Sequence, residues 1–113
     1  MLRNLIGLTR DYLPVGVGHL AIINSVSEEK ILLQILEDNK INHAWLGIHD
    51  LYDEGDWNTI MDEPLEATGY SKWRQYQPDN FDGGQHCGVL EKPEGIDDRN
   101  CIEQNSFFCE IAF

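Results

Sequence analysis

The stretch from Asp62 to Gly84 constrains the fold more than any other part of the chain. It shows neither helical nor strand periodicity, carries two glycine turn signals, and contains Pro64 and Pro78. Loops longer than about 15 residues without structure of their own are uncommon in compact domains unless they are functional. The flanking segments must therefore build a scaffold that can carry a long working loop. A chain of 113 residues has room for one ordinary domain, and an apolar content of 42% supplies its core.

Upstream of the loop, His19-Leu20-Ala21-Ile22-Ile23 is a short apolar run with the character of a strand or a connector. Ser25 and Glu28 have the spacing of a capping box, with Ser27 as a rival cap. Ile31, Leu32, Ile35 and Leu36 then fall on one helical face. These signals predict one helix over residues 27–38, stopped at Asn39. After it the texture changes to short strands, expected over 44–48, 56–61, 87–90, 97–101 and 107–111. An acidic loop from His49 to Asp56 separates the first two of these. Residues 1–17 have no clear periodicity and lead into a Pro- and Gly-containing stretch, so the domain is expected to occupy 18–113 behind an atypical segment.

The net charge of −12 comes from 20 acidic and 8 basic side chains. Such a surface repels phosphate backbones and anionic membranes, which argues against nucleic-acid partners, and no stretch is long and apolar enough to span a bilayer. Crowded carboxylates favour a bound cation, for which calcium is suited by its oxygen ligands; acidity that only aids solubility is the plainer alternative. Cys87, Cys101 and Cys109 have neither zinc-ribbon nor CxxC spacing, and His19, His43, His49 and His86 have no zinc spacing with them. Asp50 to Asp56 lacks the register of an EF-hand. No carboxylate pair is marked as a glycosidase acid and base, and no nucleophile motif or phosphate loop is present. The chain is not expected to be an enzyme. Met1 to Leu8 is too short for a signal-peptide core.

Four separated patterns give the chain a family resemblance. Gly18-His19-Leu20-Ala21 followed by Ile23-Asn24-Ser25 resembles the approach to the second helix of C-type lectin domains. Trp45-Leu46-Gly47-Ile48 resembles their WIGL core strand, and Gln77-Pro78-Asp79 their sugar-selecting tripeptide. Cys87, Ile96-Asp97-Asp98 (in place of Trp-Asn-Asp), Cys101 and Phe107-Phe108-Cys109-Glu110 resemble the closing cysteine framework. Within the family, residues 50–57 and 65–73 look closest to invertebrate hemolymph lipopolysaccharide-binding lectins.

The resemblance implies an α+β fold of short antiparallel strands with one retained helix and a long calcium- and sugar-binding loop. It implies a secreted protein with a Cys87–Cys101 bridge, whose loop closure is worth roughly 3 kcal/mol in the entropy model. Residues 1–17 do not resemble the family's opening strand and helix, which are expected to be missing, as in a fragment, an alternative product or a gene model with a wrong start. Cys109 is then left unpaired, a sheet edge is exposed, and stability is marginal.

By the same resemblance, Gln77, Asp79, Gln85, Asp97 and Asp98 form the principal calcium site and hold the sugar through it. Each offers a side-chain oxygen. The family more often has Glu at the position of Gln85 and Asn at that of Asp97, so the charge is preserved while the asparagine's donor is lost. The Gln77-Pro78 bond is expected to be cis, aiming flanking carbonyls at the metal. QPD resembles the galactose-type arrangement, and Phe81 stands where an aromatic packs on the sugar's apolar face. Asp50, Glu54 and Asn80 match an auxiliary calcium site, with His86 at the place of its last acid. The implied function is calcium-dependent binding of galactose or N-acetylgalactosamine in glycans, with microbial lipopolysaccharide sugars as targets in innate immunity. The alternatives are a calcium-independent interaction or structural module, and a truncated product without activity.

Overall fold

A computed structural model describes residues 4–9, 18–80 and 83–112, with side chains described over 18–80 and 83–110. Strand β1 spans Asn4–Thr9 and β2 Gly18–Leu20; helix α1 spans Val26–Asp38. β3 (His43–His49), β4 (Asn58–Thr59), a 3-10 turn (Leu65–Thr68), β5 (Cys87–Glu91), β6 (Ile96–Arg99) and β7 (Phe107–Ala112) follow. The strands form one sheet in the order β1-β7-β3-β5-β6, with β2 added on β7 and β4 on β3. Every pairing is antiparallel except that of β3 with β7, which is parallel.

Residues 4–9 correct the expectation that the opening strand is absent. They pair with β7 from Asn4 opposite Ala112 to Thr9 opposite Phe107. An open edge on β7 presents unpaired amides and carbonyls, which an extendable segment such as Asn4-Leu5-Ile6-Gly7-Leu8-Thr9 can satisfy without any cysteine. The edge expected to be bare is thus covered. The expectation that the opening helix is also missing falls on residues 10–17, outside the described residues.

Helix α1 begins where Ser25, in extended conformation, accepts the Glu28 amide at 3.1 Å through Oγ, so Ser25 and not Ser27 is the cap. Its buried stripe is Glu29, Leu32 and Leu36, spaced three and four residues apart. Leu33 and Ile35 pack partly against the core, whereas Ile31, expected on the same face, is 62% exposed. The stripe is rotated because Glu29 enters the interior with partners: its carboxylate accepts the Tyr70 hydroxyl at 2.5 Å and the Gly95 amide at 3.0 Å. Burial and then the Glu29 carboxylate push the Tyr70 phenol far above its ordinary range.

The core joins this stripe to Ala21 and Ile23 from the β2–α1 connector, to Ala44, Leu46, Ile48, Leu90, Ile96 and Phe108 from the strands, to Trp57 just before β4, and to Leu65 and Tyr70 from the loop's near end. The expected strand around Trp57 contracts to Asn58–Thr59. Trp57 instead packs edge-on to Trp73 at 4.8 Å, which anchors the long loop. The loop is further tied to β6 by two main-chain bonds: the Ile96 amide donates to the Lys72 carbonyl at 2.8 Å and the Arg74 amide to the Ile96 carbonyl at 2.9 Å. Cys87 and Cys101 are bridged, and Cys109 is a buried free thiol.

Candidate functional site

The middle of the long loop folds back onto β6. Tyr76 and Asn80 both take left-handed backbone angles, φ 68° and 46°, and between them the Gln77-Pro78 bond is cis, as expected. A bulky residue such as Tyr76 rarely adopts that conformation, and such residues concentrate at ligand-binding loops. The docking point is Asp98, whose side chain is buried at 1% exposure. Its Oδ2 accepts the Asn80 amide at 2.6 Å and its Oδ1 the Asp79 amide at 3.3 Å. The Asp79 amide is also within 3.1 Å of Gln77 Oε1, so the Gln77 and Asp98 oxygens converge on one N–H group. Asn80 Oδ1 accepts the Gln85 amide at 2.8 Å, which closes the loop's far side.

Asp97 faces the opposite side of β6 from Ile96 and Asp98 and meets Arg74 at 3.6 Å. Burial, then Glu91 and Asp98, push its carboxyl up to about 6. Arg74 is bound more tightly to Glu91, at 2.5 Å, and Arg99 reaches Glu91 at 3.4 Å and Glu103 at 3.3 Å. Gln77, Asp79, Asp98 and the Asn80–Gln85 pair are therefore gathered around one main-chain turn, with Asp97 beside them in a partly neutralised carboxylate network. The donor set is all oxygen, and its crowded negative charge is of the kind a divalent cation relieves, so these residues fit calcium. Phe81 lies outside the described residues.

A second cluster forms where β3 ends. Register carries His49 opposite Cys87, and the Asp50 amide donates to the His86 carbonyl at 3.0 Å. On the side chains, His86 Nδ1 lies 2.9 Å from Asp50 Oδ1, while Asp50 Oδ2 accepts the Gly55 amide at 2.9 Å. Glu54 joins them, with ligand atoms of all three within 4.8 Å of one another. Burial alone would raise the Asp50 carboxyl, yet hydrogen bonds from Glu54, the Gly55 amide and His86 hold it below its ordinary value. Its hydrogen bond with Asp50 raises the Glu54 carboxyl, and a separate hydrogen bond with Asp50 raises His86.

Reading by residue type missed Arg74 and Tyr76. Arg74 is one of two basic residues between Asp62 and Gly84, a signal that was available. Tyr76 is 85% exposed beside the tripeptide and carries no signal beyond that adjacency.

Fold and site together define a small α+β domain whose sheet carries a long, oxygen-rich loop folded onto one strand. The chain belongs to the C-type lectin family: the description "Lectin C-type domain" matches residues 16–111. It is 35% identical over 102 residues to the hemolymph lipopolysaccharide-binding protein of Periplaneta americana, covering 83% of this chain and 40% of that one. C-type lectin domain family 4 member M of Hylobates lar is 28% identical over 94 residues, with 83% and 23% covered, so the chain spans less than half of either relative. Among solved structures, the mouse scavenger receptor C-type lectin carbohydrate-recognition domain superposes with a TM-score of 0.72 at 30% identity, covering 82% of this chain and 68% of that one. Human lithostathine shares the fold, with a TM-score of 0.79 at 16% identity over 96% of this chain and 91% of that one. C-type lectin domains are non-enzymatic carbohydrate-binding modules that generally hold calcium. No helix among the described residues is long and apolar enough to cross a membrane.

Proposed function

We propose that the chain binds sugars of the galactose or N-acetylgalactosamine type through a calcium ion held by Gln77, Asp79, Gln85, Asp97 and Asp98. The observation that carries this reading is the buried Asp98 carboxylate, which grips the main chain of Asp79 and Asn80 and so fixes the tripeptide against β6. When bound, the ion offers coordination positions to two vicinal sugar hydroxyls. The protein's own part is to hold oxygens at those hydroxyls and, through Phe81, to cover the sugar's apolar face. The hemolymph relative supports microbial glycans as targets and an extracellular setting. A charge of −12 opposes the phosphates of a lipid anchor, so the outer sugars are the part recognised.

One observation favours a calcium-independent reading instead. Arg74 already neutralises part of the Glu91 and Asp97 charge that a metal would otherwise balance. Calorimetric titration with galactose, with calcium and then with excess chelator, separates the two. Binding that appears only with calcium is the expected result, and binding that survives chelation overturns the metal-dependent reading. Asp79→Ala is expected to abolish calcium-linked binding while leaving the melt within about 0.5 kcal/mol of the parent, because the residue is exposed and packs no core. Unchanged galactose affinity in that variant would remove Asp79 from the site.

A further inference from the structure

We infer that Asp50, Glu54 and His86 form a separate binding site for a divalent ion of the zinc class rather than for calcium. This inference does not depend on the sugar-binding reading. Asp50 and Glu54 lie four residues apart, and the sheet brings the distant His86 to them. Asp50 and His86 continue the β3–β5 ladder one residue past the His49–Cys87 pair, and the Asp50 amide bonds the His86 carbonyl at 3.0 Å. Glu54 is returned to the same point by a tight turn: the Asp56 amide donates to the Asp53 carbonyl at 2.9 Å, and Gly55 takes φ 84° there. The Gly55 amide then fixes Asp50 Oδ2, which orients the carboxylate and leaves Oδ1 toward His86. A site built on a strand ladder and a closed turn is largely formed before the ion arrives.

The donor chemistry selects the ion. Two carboxylate oxygens and one imidazole nitrogen are three ligands, and calcium seeks six to eight, nearly all oxygen. Zinc accepts three protein ligands and keeps its fourth position for water, with Zn–N and Zn–O near 2.0–2.2 Å. Tetrahedral geometry at those bond lengths separates two ligand atoms by roughly 3.3 Å. The Asp50–His86 pair, at 2.9 Å, would open by a few tenths of an ångström, and Glu54 already lies within the 4.8 Å envelope. His49, next along the strand, does not compete, since its Nδ1 accepts the Leu51 amide at 3.1 Å. The consequence for the loop is mechanical. An ion at His86 would pin the residue after Gln85 to the end of β3 and stiffen the exit of the long loop.

The test uses the whole oxidised chain, stripped of metal and titrated with zinc alone and with calcium alone. Zinc is expected to raise the melting temperature by several degrees in the parent. Asp50 is buried and its loss would disturb the fold, so His86→Ala and Glu54→Gln carry the test. Each should lose at least the 10- to 100-fold in zinc affinity that removal of a mere supporting group costs a metal site. His86→Asp should weaken zinc and strengthen any calcium response at this site. Cobalt added to the parent should give a visible d–d absorption that His86→Ala lacks. A zinc response that is absent in the parent, or that persists at full strength in His86→Ala and Glu54→Gln, overturns the assignment. So does a response abolished by Cys109→Ser but kept in His86→Ala, which would place the ion at the thiol.

Discussion

Glu29→Ala is expected to destabilise the domain by roughly 2–5 kcal/mol, because it strands two buried donors whose unmet hydrogen bonds cost about 1–3 kcal/mol each. The donors are the Tyr70 hydroxyl, at 2.5 Å, and the Gly95 amide, at 3.0 Å; Glu29 itself is 1% exposed. Gly95 cannot easily move aside to find water. It holds φ 95°, and a β-carbon placed there would meet the Arg74 main chain at 3.1 Å. For a domain whose total stability is about 5–15 kcal/mol, this loss is a large fraction. A fall in melting temperature on the order of 10 °C or more should follow. Tyr70→Phe removes one donor and leaves the carboxylate its Gly95 partner, so it should cost about 1–2 kcal/mol. Urea unfolding of both variants and of the double variant gives the coupling. A Glu29→Ala change below about 1 kcal/mol would show that this carboxylate is not the joint it is argued to be.

That joint also shows what a sequence can and cannot reveal here. A glutamate in the first helical turn reads as a solvated residue that favours the helix dipole, and nothing in Ser25–Asp38 tells it apart from Glu28. Its burial is decided by Tyr70 and Gly95, which lie 41 and 66 residues away. The helix itself, the β3 strand and the Cys87–Cys101 bridge were legible, because period, cap spacing and family pattern all pointed the same way. Strand β1 was not. Asn4–Thr9 has weak alternation of its own and becomes a strand only against the β7 edge. The Asp50–Glu54–His86 cluster was legible through the family pattern, which put His86 at the place of the auxiliary site's last acid, while the ladder register that sets His86 beside Asp50 is encoded by no local spacing. Arg74 carried a signal as one of two basic residues in the loop, but its role beside Asp97 and Glu91 exists only once the loop lies on β6.

The loop's attachment at Asp98 gives the second large effect. Asp98→Ala should leave the scaffold folded and release the tripeptide, because the residue's two oxygens hold the loop's Asp79 and Asn80 amides while Ile96 and the core remain in place. Hydrogen bonds from amides to a carboxylate are roughly twice as strong as neutral ones, and the Asn80 contact, at 2.6 Å, is the shorter of the two. Under the proposed function the same substitution also removes a calcium ligand, so metal and sugar binding should both vanish from calorimetry. Asp98→Asn distinguishes the two losses. Its single carbonyl oxygen can accept only one of the amides, and its NH2 group must face the other, so it should fall between parent and alanine in loop order. Amide exchange at Asp79 and Asn80, followed by NMR without metal, reads the loop directly; calcium titration reads the site. Fast exchange at both amides together with lost calcium binding in Asp98→Ala is the expected pair of results. Fast exchange with calcium and galactose affinity intact would mean that the metal is held without this carboxylate, and the proposed ligand set would have to be redrawn around the oxygens of Gln77, Asp79 and Gln85.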